Sequence, residues 1–206
     1  MSATSGTVYL VDDEPGVLKA LSRLLRLEGF TVCAYTSATA FLDAYQPGEP
    51  ACLVLDVAMP ELDGLALQQR LTERGHLLPI VFLTGHGDIP MAVRAIRAGA
   101  LDLLTKPVKD SELLRAVRAA LQRAAEQREL ALELAALHRR HARLTPRERE
   151  VMAHVVTGAL NKTIADTLGI GEHTVKVHRA RVMEKMGVDS LADLVRAAER
   201  LDPGTS

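Results

Sequence analysis

The chain of 206 residues contains no tryptophan and only three phenylalanines and three tyrosines. So few rings argue against a stacking platform for single-stranded nucleic acid. There are two cysteines, Cys33 and Cys52, each inside an apolar run and without metal-ligand spacing. Two small, buried, reduced thiols are expected. No apolar run is long enough to cross a bilayer, so no membrane partner is expected. The opening MSATSGT lacks the basic and apolar regions of a secretory leader, which makes the cytoplasm the expected compartment. Charge of neither sign dominates: 25 Lys and Arg face 26 Asp and Glu, for a formal net charge of −1. The chain as a whole is therefore no basic nucleic-acid binder, and any such activity must come from a local patch. Low-complexity segments and internal repeats are also missing.

What is present is ordinary for a globular protein, with 48% hydrophobic and 25% charged residues. The length suits two domains. The first part alternates two kinds of signal. Short, β-branched apolar runs predict strands at about 7–11, 31–35, 51–55, 80–83 and 100–104. Between them, helices are predicted at about 14–28, from Ser37 onward, at about 64–74 and at about 89–98. Pro15 lies in a first turn, Ser37 is an N-cap candidate, and Gly29, Gly75 and Gly99 are stop signals. This alternation predicts a doubly wound, five-stranded parallel α/β sheet covered on both faces.

The strand ends carry the chemistry. VYLVDDEPG ends in Asp12 and Asp13, and ACLVLDVAMP in Asp56. Buried strands that end in bare carboxylates need solvent, partners or a cation. IVFLTGHGD adds a hydroxyl, Thr84, and ALDLLTKP adds an ammonium, Lys106. In a parallel sheet all these ends share the edge where α/β folds bind ligands. Three carboxylates, a hydroxyl and a lysine fit Mg²⁺ and a phosphoryl group. The alternative is an acidic loop cluster without chemistry.

From Asp110 to about His141 the sequence is helical, without Gly or Pro. Leu130, Leu134, Leu137, His141 and Leu144 follow 4-3-4-3 spacing. That pattern fits a short coiled-coil seam or a linker helix whose leucines pack on a domain. His138 and His141 are expected in solvent rather than on a metal. A small all-helical unit follows, with helices at about 146–157, 161–168, 173–186 and 190–200. Thr145-Pro146-Arg147-Glu148 is a capping box, and Asn161 and Ser190 are N-cap candidates.

NKTIADTLGIGEHTVKVHRA, residues 161–180, joins two helices through Gly169, as a helix-turn-helix does. In the second helix Val175, His178, Val182 and Met186 form an inward stripe, with His178 expected packed and hydrogen-bonded. Lys176, Val177, Ala180, Arg181 and Glu184 face outward, and Arg179 flanks both sets. Lys176, Arg179, Arg181 and Lys185 outnumber Glu184 locally. The expected contacts to double-stranded DNA are Lys162, Thr163, Thr174, Lys176, Val177, Arg179, Ala180 and Arg181. Leu191, Leu194 and Val195 of the last helix are the expected dimer contact of this unit, or else its core face.

VDDE, LVLDVAMPELDG, VFLTGHGDIPMAVRAIRAGA, TKP, LTPRERE and TVKVHR together resemble a two-component response regulator of the FixJ/NarL class, in particular the FixJ-type branch. The resemblance covers about 7–124 and 142–200. It implies a receiver (flavodoxin-like) domain at 1–124, a linker helix at 125–143 and a LuxR-type helix-turn-helix domain at 144–206. It further implies Asp56 as phosphoacceptor, and Mg²⁺ held by Asp12, Asp13, Asp56 and the backbone carbonyl of Ala58. Lys106 and Thr84 would stabilise the phosphoryl group, and Lys106-Pro107 would be cis. The implied partners are a sensor histidine kinase, promoter DNA, a second copy on phosphorylation, and RNA polymerase. The chain departs from many receivers at Leu103, where a switch aromatic is usual, which puts an aromatic-flip route of signalling in doubt. Two other functions fit parts of the pattern. An aspartyl phosphatase would usually carry an acid/base Asp where Ala58 stands. A DNA-binding regulator controlled by protein contact would have no use for the Asp56 site.

Overall fold

The computed structural model describes residues 6–85 and 89–202. Residues 1–5, the His86–Asp88 part of the fourth strand's motif and residues 203–206 lie outside the described residues. The chain divides into two compact units, Met1–Arg128 and Glu129–Ser206.

In the first unit, strands β1 (Thr7–Val11), β2 (Thr31–Tyr35), β3 (Ala51–Asp56), β4 (Ile80–Thr84) and β5 (Asp102–Thr105) form one sheet. All pair in parallel, in the order β2-β1-β3-β4-β5. The helices between them are α1 (Pro15–Leu27), α2 (Ala38–Ala44), α3 (Gly64–Glu73) and α4 (Ile89–Arg97). The central strands β3 and β4 are buried at every residue, which explains their unbroken apolar runs. One core lies where Leu18, Leu21 and Leu25 of α1 meet Val8, Leu10, Val54 and Val81. Leu113, Val117 and Leu121 of the next helix, α5 (Asp110–Ala142), belong to the same core. The other core joins Phe41, Leu67, Leu71 and Ala95 to Leu53, Leu55 and Phe82. Each fully buried Leu or Phe contributes roughly 1.5–3 kcal/mol.

Local signals act as expected at most ends. The Ser37 hydroxyl accepts from Ala40 N–H at 3.2 Å. The Asp63 carboxylate, not singled out in the sequence, likewise caps α3 by accepting from Ala66 N–H at 2.7 Å. Two details differ. β5 begins at Asp102 rather than 100, because Ala100 is a core residue of the preceding turn and Leu101 is exposed. Cys52 is buried as expected, but Cys33 is half-buried, since β2 is an edge strand.

The second unit holds the end of α5 with α6 (Pro146–Val156), α7 (Asn161–Leu168), α8 (Glu172–Met186) and α9 (Leu191–Leu201). Its core gathers Leu137, Leu144, Val151, Val155, Ile164, Val175, Val182, Met186 and Leu194. Leu137 and Leu144 of the 4-3 spacing are thus packed on this domain, while Leu130 is exposed. Thr145 and Glu148 form the reciprocal capping box of α6. Asn161 does not cap α7. Leu160 holds that place, and Asn161 is the first helical residue.

Candidate functional sites

Parallel pairing brings Asp12, Asp13, Asp56, Thr84 and Lys106 to one sheet edge, although they lie up to 94 positions apart. One carboxylate oxygen from each of Asp12, Asp13 and Asp56 lies within 4.8 Å of the others. Lys106 Nζ sits 2.7 Å from Asp12 Oδ2, 3.3 Å from Asp56 Oδ2 and 3.4 Å from Glu14 Oε1. The Lys106 backbone N–H donates to the Thr84 carbonyl at 2.7 Å, fixing the two strand ends together. The Lys106-Pro107 peptide is cis.

Asp12 and Asp56 are 2% and 4% exposed, a costly place for two anions. Burial pushes the Asp56 carboxyl above its ordinary range. Lys106 opposes that shift, nearby Asp12 adds to it, and the Ala58 backbone bond opposes it. For Lys106, burial alone would lower the ammonium. The bond and charge of Asp12, with those of Asp56, outweigh it and hold Lys106 above its usual value. Oxygen donors crowded around unbalanced negative charge suit a hard cation such as Mg²⁺.

Close backbone packing sets the acceptor strand. The Gly64 N–H donates to the Val57 carbonyl at 3.0 Å. A Cβ at Gly64 would fall on the Asp56 carbonyl oxygen and lie 3.0 Å from the Phe82 ring. Only glycine lets α3 begin this near the Asp56 backbone.

In the second unit α7 and α8 form the helix-turn-helix. Gly169 ends α7 with φ 66°, a left-handed conformation that suits glycine. Val175, Val182 and Met186 are buried, and Lys176, Val177, Ala180, Arg181 and Glu184 are exposed. One basic face of α8 therefore stands free of the core.

The model of the response regulator receiver domain matches residues 8–118, and that of the bacterial regulatory proteins of the luxR family matches 142–198. The response regulator protein TmoT of Ectopseudomonas mendocina is 48% identical over 98% of this chain and 91% of its own. The transcriptional regulatory protein FixJ of Azorhizobium caulinodans is 46% identical over 93% of this chain and 90% of its own. The solved structure of the response regulator StyR superposes with a TM-score of 0.85, at 45% identity, over 95% of this chain and 98% of that one.

The chain belongs to the FixJ/NarL family of two-component response regulators. A receiver domain joined to a LuxR-type DNA-binding domain is the arrangement of a phosphorylation-dependent transcription regulator. The family's members matched here are regulators rather than classical enzymes. Receiver domains bind Mg²⁺ at an acidic cluster such as Asp12, Asp13 and Asp56, and take a histidine kinase as partner. No helix among the described residues is long and apolar enough to cross a membrane.

Several expectations for this response regulator need correction. Leu194 is 1% exposed and serves the core, so of the three residues expected at a dimer contact only Leu191 and Val195 reach the surface. Lys185 does not belong to the free basic face: its Nζ lies 2.6 Å from Glu148, a carboxylate only 2% exposed. Hydrogen bonding from Lys185 first, then the Thr145 bonds, holds the Glu148 carboxyl down at about 2 against burial. Arg179 Nη1 donates to Asn161 Oδ1 at 2.8 Å, tying α8 to the start of α7. His178 is half-buried, but its buried Nδ1 has no hydrogen-bond partner among the described residues. His141 is half-buried too, with its pKa lowered by burial and then by the charges of Arg149 and His138. Arg147, noted only for the capping box, donates to the Leu168 carbonyl at the end of α7. Lys162, Thr163 and Thr174 are exposed along the same helix pair.

Proposed function

We propose that Asp56 accepts a phosphoryl group from a histidine kinase in the cytoplasm, and that the phosphorylated chain binds promoter DNA as a dimer. The observation that carries the reading is the Asp56 carboxylate. It is nearly buried at the end of β3, 3.3 Å from Lys106 and within 4.8 Å of Asp12 and Asp13. In the transfer, an Asp56 side-chain oxygen bonds to phosphorus as the bond from phosphorus to the kinase imidazole nitrogen breaks. The nitrogen keeps that electron pair. Lys106 and the Ala58 N–H favour the ionised carboxylate that must attack. Lys106 then pairs with phosphoryl oxygens, and Thr84 moves to hydrogen-bond the group. Mg²⁺, held by Asp12, Asp13, Asp56 and the Ala58 carbonyl, would neutralise charge on the phosphoryl oxygens.

Movement of Thr84 reshapes the face of α4 and β5. There Arg94 and Arg97 stand beside the exposed apolar side chains Val93, Ile96 and Leu101. This mixed surface suits a symmetric contact between two receivers. Arg118 and Glu112 of the neighbouring α5 pair within the chain, with Glu28 and Lys109. Leu103, half-buried opposite Phe82, takes the place of a switch aromatic, so the signal runs through Thr84 and α4 without a ring flip. In the DNA-binding domain α8 enters the major groove. Lys176 and Val177 lie nearest the bases, with Thr174 and Ala180 beside them, and Arg179, Arg181, Lys162 and Thr163 lie at the backbone. Leu191 and Val195 extend the dimer contact, and RNA polymerase is a further partner at the promoter.

The test is incubation with a small acyl-phosphate donor and Mg²⁺, followed by intact-mass measurement. One phosphoryl group is expected on the wild type, none on Asp56→Asn, and slower labelling of Asp13→Asn. Equal labelling of Asp56→Asn would reject the assignment.

A further inference from the structure

The last residue of the recognition helix α8, Met186, presents its carbonyl to a residue of another helix. Arg140 of α5 donates from Nη1 to the Met186 carbonyl oxygen at 3.3 Å. The next residue, Gly187, turns left-handed at φ 66°, and its N–H returns to the Glu184 carbonyl. A Cβ at Gly187 would lie 3.4 Å from Arg140 Nη1 and 3.5 Å from Cζ, so glycine leaves room for the guanidinium against the helix end. The final turn of a helix carries unpaired carbonyls and partial negative charge, and a cation there is stabilising. Lys185, the basic residue of α8's own last turn, is bonded to Glu148. Arg140 thus supplies a cation to the helix end from a different helix.

Arg140 is itself held. Three positions earlier Leu137 is buried in the domain core, and four before that Glu133 pairs with Arg200 of α9 at 2.9 Å. The 4-3 spacing of 133, 137 and 140 puts all three on one face of α5. The N-terminal half of the same helix carries Leu113, Val117 and Leu121 of the receiver core.

We propose that Arg140 is a positioning residue for DNA recognition: it fastens the linker helix to the C-terminal end of the recognition helix and sets how α8 lies in the groove. The inference rests on the reading of α8 as the DNA-reading helix. It deepens that reading by naming a residue outside the helix-turn-helix through which the receiver's helix acts on it.

The test uses the full, phosphorylated chain and duplexes recovered by in vitro selection with the wild type. Arg140→Gln should raise Kd about fivefold, the scale of a lost charged cap. The slope of log K against log salt should not change, because Arg140 touches no phosphate. Arg140→Lys should restore affinity to within about twofold. Hydrogen exchange at the Gly187 and Val188 amides should quicken in Arg140→Gln. A role confined to stability would reduce the fraction of protein able to bind and leave the Kd of that fraction alone, overturning the inference. So would an unchanged Kd, or a salt slope lower by about one unit, which marks a direct phosphate contact. A wild type that enriches no duplex in the selection would instead overturn the reading of α8 itself, and this inference with it.

Discussion

At the receiver's sheet edge Asp12 and Asp56 are withdrawn from water beside Lys106, whereas Lys176 and Arg181 of α8 stand in solvent. The first arrangement carries an electrostatic cost that Lys106 offsets in part and that a bound cation would relieve further. The second carries almost none, and so leaves the basic face free to meet phosphates. Between them lies a third use of charge. Glu148–Lys185 and Arg140 with the Met186 carbonyl hold the helical packing around the C-terminal end of α8 rather than its free basic face. On α8, Lys185 and Lys176 look alike in sequence, and only the Glu148 partner of Lys185 separates their roles.

The receiver side of this comparison breaks most severely at Gly64. Gly64→Ala forces a methyl into the Asp56 backbone, where overpacking costs about 3 kcal/mol. Denaturant unfolding of the receiver should show that loss, and acyl-phosphate labelling of Asp56 should slow with it. Wild-type stability and labelling in Gly64→Ala would mean that the approach of α3 to β3 is not tight.

Next in size is the buried pair of the DNA-binding domain. Removing one partner of a buried ion pair costs 3–5 kcal/mol, but Lys185 reaches solvent, so about 2 kcal/mol is expected for Glu148→Gln. The pH dependence follows from the lowered Glu148 pKa. Its stabilisation is complete above the ordinary value of 4.5 and is lost as pH falls toward about 2. Thermal melts between pH 5 and pH 2 should fall more steeply for the wild type than for Glu148→Gln. Parallel curves would place the acid sensitivity elsewhere.

How much of this was legible in the sequence differs between the two sites. Asp12, Asp13, Asp56, Thr84 and Lys106 each close an apolar run, and parallel pairing takes all such ends to one edge. Their meeting follows from periodicity and chain topology alone. So do the Ser37 and Thr145 caps, whose partners lie three residues away. On α8 the spacing separated Val175, Val182 and Met186 from Lys176 and Arg181. It could not assign Lys185 or Arg179, whose partners Glu148 and Asn161 lie 37 and 18 positions away on other helices. Leu194 fell for the same reason: one apolar stripe on α9 serves a core or a partner equally well, and burial decides. Cys33 escaped because nothing in a β-branched run marks an edge strand.

Smaller effects sharpen the surface side of the comparison. Lys176→Ala should relax preference at one base pair by about 1–3 kcal/mol if its contact is bidentate. Arg181→Ala should weaken all sequences alike and lower the salt slope by about one unit. Selection followed by salt titration separates the two. An Arg181→Ala protein with altered base preference would exchange the roles of these residues. Both variants should still take one phosphoryl group at Asp56.

The central claim is that the state of the buried carboxylate governs what the exposed helix binds. It is tested most directly by titrating selected duplex DNA with the full chain before and after acyl-phosphate treatment, alongside Asp56→Asn. The account predicts binding at least about fivefold tighter after treatment, the lower end of ordinary coupling energies, and no response from Asp56→Asn. Equal affinity in both states of the wild type, or the same gain in Asp56→Asn, would contradict it.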